Sequence, residues 1–161
     1  MHSKNTKIIA LALGSNLGNR QAHIAFAIQQ LDLHGIQNIQ CAEALESAPI
    51  DCPDGSATYL NTALTAEWHG SANELLKIAL KIEKLAGRER SGTINESREL
   101  DIDLLLIEDE IHNTKQLVIP HPRMHLRGFV LRPLSHLKPE WIIPGITKTI
   151  QQSLEALEQY A

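Results

Sequence analysis

Two aspartates, Asp101 and Asp103, are separated by a single residue within an apolar run that continues to Ile107. If this run is a β-strand, alternate side chains share a face, so both carboxylates point one way while Ile102 and Leu104 point the other way. Carboxylates about 7 Å apart repel each other, but such a pair can hold two divalent cations about 3.5–4 Å apart, as in phosphoryl transfer. An edge strand with a solvated charged face is the alternative. The apolar continuation favours a central strand.

Residues 121–127 place four cationic or titratable side chains within seven positions of a chain whose net charge is −4. His121 lies between two prolines, whose rings restrict the backbone on both sides of the imidazole. Arginine presents a fork of donors that matches phosphate oxygens, so an imidazole beside guanidinium groups suits a polyphosphate. For Arg123 and His125, a solvated helix face is the simpler interpretation. The cluster predicts a local anion site on an acidic protein.

A third group of polar residues flanks the loop of residues 48–57, which at ten residues is longer than most connections. Ser47-Ala48-Pro49-Ile50 leads into this loop, and Tyr59-Leu60-Asn61 follows it. Asn61 carries two amide donors and one acceptor, so its side chain can bind the edge of a flat heterocycle. Tyr59 shares the face of Asn61 if the segment is a strand. A hairpin turn with an ordinary strand tyrosine is the structural alternative.

The glycine-containing segment of residues 14–20, Gly-Ser-Asn-Leu-Gly-Asn-Arg, invites comparison with phosphate-binding loops. It matches neither G-x-x-x-x-G-K-[ST] nor G-x-G-x-x-G, so neither mechanism of phosphate binding can be claimed for it. We interpret it as a strand-to-helix turn in which Asn16 or Asn19 caps the following helix.

Hydrophobic periodicity predicts the elements that must position these groups. Short apolar runs and alternation predict strands at residues 7–13, 36–47, 59–68 and 100–107. Helical spacing predicts helices at about 19–33, at 71–86, after Pro122 and near 147–159. Ser71 and Glu74 form a capping box at the start of the second helix. The order β-α-β-β-α-β predicts the ferredoxin-like α+β fold, an antiparallel sheet with packed helices, here with additional C-terminal helices.

Composition limits the class of protein. With 161 residues, of which 43% are hydrophobic and 21% charged, the chain suits one globular domain over residues 1–161. The net charge of −4 and the aromatic content of 4% disfavour a nucleic-acid binder. Two cysteines at no metal-binding spacing suit a reducing compartment, and no apolar stretch reaches the roughly 18–20 residues of a membrane span. We therefore expect a cytoplasmic monomer with neither nucleic-acid nor membrane partners.

Taken in chain order, these motifs resemble those of the 6-hydroxymethyl-7,8-dihydropterin pyrophosphokinase family, and the resemblance covers about residues 8–145. The motifs are Gly14-Ser15-Asn16-Leu17-Gly18, Pro49 followed by Tyr59-Leu60-Asn61, Glu83 with Gly87-Arg88, Arg98-x-Leu-Asp101-x-Asp103, and Pro120-His121-Pro122 with Arg127-Gly128-Phe129. The resemblance implies a ferredoxin-like enzyme of folate biosynthesis. Such an enzyme takes ATP and 6-hydroxymethyl-7,8-dihydropterin and gives AMP and the pterin diphosphate.

The resemblance also implies roles for particular residues. Asp101 and Asp103 would bind two Mg²⁺ ions that bridge the phosphates of ATP. The implied catalytic set is Arg88, Arg98, Asp101 and Asp103. The implied ATP-binding set is Glu83, Arg88, Arg98, Ile102, Leu104, His121 and Arg127. The implied pterin-binding set is Ser47, Ala48, Pro49, Ile50, Tyr59, Asn61 and Phe129, with the pterin ring between Tyr59 and Phe129.

One loop departs from the pattern of the family. Asn95-Glu96-Ser97-Arg98 stands where family members commonly carry Trp-Gly-Pro-Arg, so the loop of residues 88–99 lacks the aromatic side chain that caps the site. The loop can bury little apolar area on closing, which predicts a weaker lid. The alternative function is a catalytically degenerate module of the same fold that binds nucleotide or pterin for regulation. The intact pair of Asp101 and Asp103 favours the enzyme.

Overall fold

The structure is a computed structural model that describes residues 5–47, 58–87 and 99–159. The first part of the chain forms β1 (Lys7–Ser15), α1 (Arg20–Leu33), β2 (Gln37–Cys41), β3 (Leu45–Ser47), β4 (Tyr59–Trp68), α2 (Ala72–Leu85) and β5 (Asp101–Ile107). The rest forms β6 (His112–Asn113), β7 (Val118–Ile119), a 3₁₀ turn (Met124–Leu126), α3 (Gly128–Leu137), β8 (Ile142–Ile143), β9 (Lys148–Thr149) and α4 (Ile150–Gln159).

The largest sheet has the strand order β2-β4-β1-β5, and β3 also pairs with β4. Its pairings are antiparallel, and β1 lies between β4 and β5. Because α1 connects β1 to β2 and α2 connects β4 to β5, each helix joins two parallel strands that have a third strand between them. This is the split βαβ arrangement, so the predicted ferredoxin-like fold is confirmed.

Alternation along β1 divides the core between the two faces of the sheet. The face covered by α1 and α2 buries the larger side chains of β1, which are Ile9, Leu11 and Leu13. The opposite face, covered by α3 and α4, buries Ala10 and Ala12. On the α3 side of the sheet, β1 therefore contributes only small side chains to the core.

The first two helices, α1 and α2, begin with side-chain caps. Asn19, one of the two candidates, caps α1 because its side chain accepts a hydrogen bond from the Ala22 N–H. Asn16, the other candidate, is buried at the end of β1. Ser71 and Glu74 form the predicted capping box at the start of α2. These caps satisfy backbone donors that a helix leaves unpaired at its first turn.

The prediction of one strand over residues 36–47 is wrong. Two strands, β2 and β3, pair with β4 in this region, and residues 42–44 separate them. At the break, the Ala42 N–H donates to the Ala63 carbonyl, while the Ala42 carbonyl accepts from the hydroxyl of Thr62 at 2.6 Å. A side chain thus replaces a backbone partner there, and the regular ladder is interrupted.

The apolar run of β5 predicts a central strand, and this prediction is also wrong. In the part of the sheet that the structure describes, β5 is the outermost strand beside β1. Its outer edge is nevertheless bonded, because the Ile102 N–H donates to the Glu83 carboxylate and the Leu105 carbonyl accepts from the His121 N–H. Segments other than a neighbouring strand cover this edge, which explains how an edge strand can be so apolar.

The C-terminal part contains the predicted helices and two hairpins that the sequence does not reveal. After Pro122 the chain forms the 3₁₀ turn and then α3, and the last helix, α4, begins at Ile150. The hairpins β6–β7 and β8–β9 consist of two-residue strands, which are too short to show a hydrophobic period. Among the helices that the structure describes, none is both long and apolar enough to cross a membrane.

Candidate active site

Gly14, near the end of β1, lies between two groups that the sequence analysis singles out. It pairs with Asn61 of β4 on one side and with Asp101 of β5 on the other. Ala12, on the same face of β1, pairs with Asp103. Because directly opposed residues of antiparallel strands share a face, Asn61, Asp101 and Asp103 all lie on the α3 side of the sheet. The amide and the two carboxylates line one surface, with a position that has no side chain between them.

The predicted alternation along β5 is confirmed. Asp101 and Asp103 are half-buried, whereas Ile102 and Leu104 are buried. The latter two belong to the core that includes α1 and α2. Ile102 and Leu104, which the resemblance assigns to the ATP-binding set, thus direct their side chains to the face opposite the carboxylates.

Glu83, near the end of α2, has a buried carboxylate, and only 4% of the residue is exposed. Its Oε2 accepts a hydrogen bond from the backbone N–H of Ile102 at 2.7 Å. Since Ile102 stands between Asp101 and Asp103, this bond joins α2 to the part of β5 that carries both aspartates. A buried carboxyl group is costly unless it is hydrogen-bonded, and this bond provides a partner for one of its oxygens.

His121 is held through both its backbone and its ring. Its N–H donates to the Leu105 carbonyl at 2.9 Å, and its Nδ1 accepts from the Arg123 N–H at 3.1 Å. A nitrogen that accepts carries no proton, so the neutral ring presents its proton on Nε2. Burial first, and then the positive charges of Arg127 and Arg123, lower the pKa of His121 to about 4, against the opposing effect of Asp101. At neutral pH the imidazole is therefore an uncharged donor beside two cations.

Arg127 and Phe129 connect the candidate phosphate site with the candidate pterin site. The guanidinium carbon of Arg127 lies 5.5 Å from the centroid of the Phe129 ring, which is within the range of a cation–π contact. Phe129 lies in the first turn of α3 and packs, partly buried, against the core on the α3 side of the sheet. The start of α3 thus presents a cation and an aromatic face together.

The candidate pterin-binding residues of β3 and β4 are joined by strand pairing and by a side-chain hydrogen bond. Ser47 pairs with Tyr59, and the Asn61 side-chain amide donates from Nδ2 to the Ser47 hydroxyl. Asn61 is 9% exposed, whereas Tyr59 is half-buried. A nearly buried amide that is fixed by one hydrogen bond offers its remaining groups in a defined orientation.

Other predicted residues lie outside the described ranges, and their predictions remain untested. They are Ala48, Pro49 and Ile50 of the pterin-binding set, Arg88 and Arg98 of the catalytic set, and Asn95, where the loop departs from the family pattern.

The structure connects two further residues, Gly14 and Arg20, to the site. The strand position of Gly14 could not be predicted, because residues 14–20 match the pattern of a turn. Strand pairing shows instead that β1 continues through Gly14 to Ser15. Arg20 was hidden because its partners lie far along the chain: the guanidinium contacts Glu46 and Thr58. Spacing within one segment gives no signal for either relationship.

The donors of the site fit a Mg²⁺ ion that is coordinated jointly by protein carboxylates and by a polyphosphate. Within residues 5–47, 58–87 and 99–159, no three His, Cys, Asp or Glu side chains converge on one point. Mg²⁺ is commonly held by one or two carboxylates together with substrate phosphates and water, rather than by a cage of protein ligands. The half-buried pair of Asp101 and Asp103 provides such hard oxygen ligands on the α3 side of the sheet.

Comparisons with known proteins identify the family of the chain. The sequence profile of the family described as 7,8-dihydro-6-hydroxymethylpterin-pyrophosphokinase matches residues 10–139. The chain is 35% identical to the 2-amino-4-hydroxy-6-hydroxymethyldihydropteridine pyrophosphokinase of Bacillus subtilis, over 81% of this chain and 77% of that protein. It is also 35% identical to the protein of the same name from Synechocystis, over 92% of this chain and 75% of that protein.

A solved structure has the same fold. A Plasmodium falciparum HPPK-DHPS triple mutant with pteroate superposes with a TM-score of 0.74 over 98% of this chain. The chain spans 45% of that protein's length, and the sequence identity is 14%, so this likeness concerns the fold alone.

Proposed function

The chain belongs to the 7,8-dihydro-6-hydroxymethylpterin-pyrophosphokinase family, and from that premise we propose that it transfers pyrophosphate from ATP to 6-hydroxymethyl-7,8-dihydropterin in folate biosynthesis. The products are AMP and the pterin diphosphate. The observation that carries the proposal is the position of Gly14 between Asn61 and Asp101. The Asn61 amide, which can bind a pterin edge, and the Asp101 carboxylate, which can hold a phosphate-bound cation, therefore lie on either side of Gly14.

The chemistry exchanges one bond at phosphorus for another. The hydroxymethyl oxygen of the pterin forms a bond to the β-phosphorus of ATP, while the bond from that phosphorus to the oxygen bridging to the α-phosphorus breaks. AMP leaves with the bridging oxygen, and the hydroxyl proton passes to water. Since little covalent chemistry falls to the protein, its residues contribute by positioning the two substrates in line and by stabilising the developing charge.

Asp101 and Asp103 are the proposed ligands of two Mg²⁺ ions. When bound, these ions supply positive charge to the triphosphate and to the oxygens that change their bonds. The protein contributes by holding both carboxylates on one face of β5. Strand pairing with Gly14 and Ala12 of β1 fixes this arrangement. Glu83 supports this position through its hydrogen bond to the Ile102 N–H.

Phosphate oxygens are the proposed partners of His121 and Arg127. The Nε2–H of a neutral His121 donates a hydrogen bond without adding charge, while Arg127 adds both donors and charge. Arg88 and Arg98 complete the proposed catalytic set on the strength of the sequence alone. The remaining proposed ATP neighbours are Glu83, Ile102 and Leu104.

The pterin ring is proposed to lie between Tyr59 and Phe129, with its polar edge on Asn61. Stacking suits a flat heterocycle, and an amide with both donors and an acceptor suits its edge. Ser47 fixes the amide by accepting from Asn61 Nδ2. Ala48, Pro49 and Ile50 belong to the proposed pocket by sequence.

The wider setting of the enzyme is likewise proposed. Residues 1–161 form one pyrophosphokinase domain that acts as a monomer in the cytoplasm, without nucleic-acid or membrane partners. The net charge of −4 and the aromatic content of 4% support the absence of nucleic-acid partners.

The test of the function is release of AMP from ATP by the purified chain. We expect release that requires both Mg²⁺ and 6-hydroxymethyl-7,8-dihydropterin, and formation of the pterin diphosphate in equal amount. Calorimetric binding of ATP or of the pterin without any AMP release would instead identify a regulatory module. Release of ADP, or AMP release that does not depend on the pterin, would contradict the proposed reaction.

A further inference from the structure

Arg20, the first residue of α1, connects two segments that lie far apart in the sequence. Its Nη1 donates to the Thr58 carbonyl at 3.0 Å and to the Thr58 hydroxyl at 3.2 Å. Its Nη2 donates to Oε1 of Glu46 at 2.5 Å, with opposite charges on the two groups. The planar guanidinium thus uses separate nitrogens for separate partners, which lysine cannot do with one ammonium group.

The partners of Arg20 directly adjoin the proposed pterin-binding residues. Glu46 precedes Ser47 at the end of β3, and Thr58 precedes Tyr59 at the start of β4. Ser47 and Tyr59 form the last pair of the β3–β4 ladder at this end. Arg20 therefore holds the two strands together at the residue positions next to that pair.

The strand that Arg20 contacts is short and mostly exposed. β3 has three residues, with Leu45 and Glu46 exposed and Ser47 half-buried. A ladder this short is marginal without additional contacts. Arg20 adds three hydrogen bonds next to this ladder, two to Thr58 and a charge-assisted one to Glu46.

The position of Arg20 is not explained by the stability of α1. A positive charge in the first turn of a helix is unfavourable, because it faces the positive end of the helix dipole. Asn19 already caps α1 through the Ala22 N–H. The favourable contacts of the Arg20 guanidinium are those that it makes to β3 and to the residue before β4.

We propose that Arg20 is a positioning residue for the pterin substrate. By holding β3 against β4, it keeps the Ser47 hydroxyl where it accepts from the Asn61 amide. The amide thereby keeps the orientation in which it binds the pterin edge. This inference rests on the proposed function, because it concerns the same pterin site.

The variants that test this role are Arg20→Gln, Arg20→Lys and a matched control, Arg132→Gln. Arg132 makes a comparable exposed ion pair with Glu158 at 3.2 Å, between α3 and α4. Three quantities are measured for each variant: the Kd of the pterin by quenching of its fluorescence, KM for both substrates, and the melting temperature.

We expect Arg20→Gln to raise the Kd and KM for the pterin about three- to tenfold, the range for losing one or two hydrogen bonds. KM for ATP should stay within about twofold. Arg20→Lys should fall between wild type and Arg20→Gln, because it keeps the charge but loses the fork. Arg132→Gln should match wild type in every binding constant.

Equal losses for pterin and ATP in Arg20→Gln, or an unchanged pterin Kd, would overturn the proposal. So would a lower melting temperature with both substrates affected alike, since that indicates a purely structural role. Failure of the proposed function is separate: the wild-type chain would then release no AMP. The pterin Kd needs no turnover, so it tests Arg20 in either case.

Discussion

The Cβ atom that Gly14 lacks would lie 2.9 Å from Oδ1 of Asn61. It would also meet Cδ1 of Tyr59 at 3.5 Å, which is an ordinary contact distance. The distance to Asn61 is shorter than side-chain atoms tolerate, and Asn61 is nearly buried and hydrogen-bonded to Ser47. A methyl group at position 14 must therefore displace the amide that is proposed to bind the pterin.

The first prediction is that Gly14→Ala weakens pterin binding. We expect the Kd of the pterin to rise by about tenfold or more, because a displaced amide loses its hydrogen bonds to the substrate. ATP binding should change much less. Fluorescence titration with the pterin and calorimetry with ATP measure the two constants.

A double-mutant cycle with Asn61→Ala is the control for Gly14→Ala. If the new methyl group acts by displacing Asn61, then Gly14→Ala should add little to the loss already caused by Asn61→Ala. Additive effects of the two substitutions would show that the glycine acts in another way, for example through the neighbouring Asp101.

The second prediction concerns the proposed metal ligands. Asp103→Asn removes a charge but little volume, so the fold should persist while Mg²⁺-dependent AMP release falls by about two orders of magnitude or more. Asp109→Asn is the matched control. Asp109 is exposed, and its positive φ of 59° suits asparagine equally well. AMP release near the wild-type rate in Asp103→Asn would rule out this aspartate as an essential ligand.

The sequence could predict the fold and the shared face of the two aspartates because these signals are local. Alternation alone places Asp101 and Asp103 on one face, and the order of the elements gives the ferredoxin-like fold. The edge position of β5 could not be predicted in this way, because the groups that cover its edge, Glu83 and His121, come from other elements. The roles of Gly14 and Arg20 also depend on pairing between distant segments, which periodicity does not encode.

The third prediction follows from the lowered pKa of His121, which is about 4 in the folded protein. An unfolded histidine has a pKa near 6.5, so between these values the unfolded state binds more protons. This histidine therefore contributes its full stabilisation above about pH 6.5 and loses it progressively as the pH falls toward about 4. Urea unfolding across this range should show a smaller loss of stability in His121→Gln than in wild type.

The control for His121→Gln is the same substitution at His136, which is exposed on α3. Because His136→Gln replaces a side chain outside the core, it should retain the loss of stability seen in wild type. Parallel curves for His121→Gln and wild type between about pH 4 and pH 6.5 would contradict the assigned protonation of His121.

The last prediction separates two roles for Glu83. If its carboxylate binds ATP through charge, Glu83→Gln and Glu83→Ala should impair the enzyme alike. The structure favours a different role, since Glu83 is buried and its Oε2 accepts from the Ile102 N–H at 2.7 Å. Glutamine keeps an oxygen that can accept this bond, whereas alanine leaves a buried donor unsatisfied, at a cost of about 1–3 kcal/mol.

We therefore expect Glu83→Ala to lower both the unfolding free energy and kcat. The fall in kcat is expected because Asp101 and Asp103 lose their support. Glu83→Gln should stay much closer to wild type in both quantities. An equal fall in kcat for the two variants, with Glu83→Gln as stable as wild type, would assign the charge of Glu83 to the reaction itself.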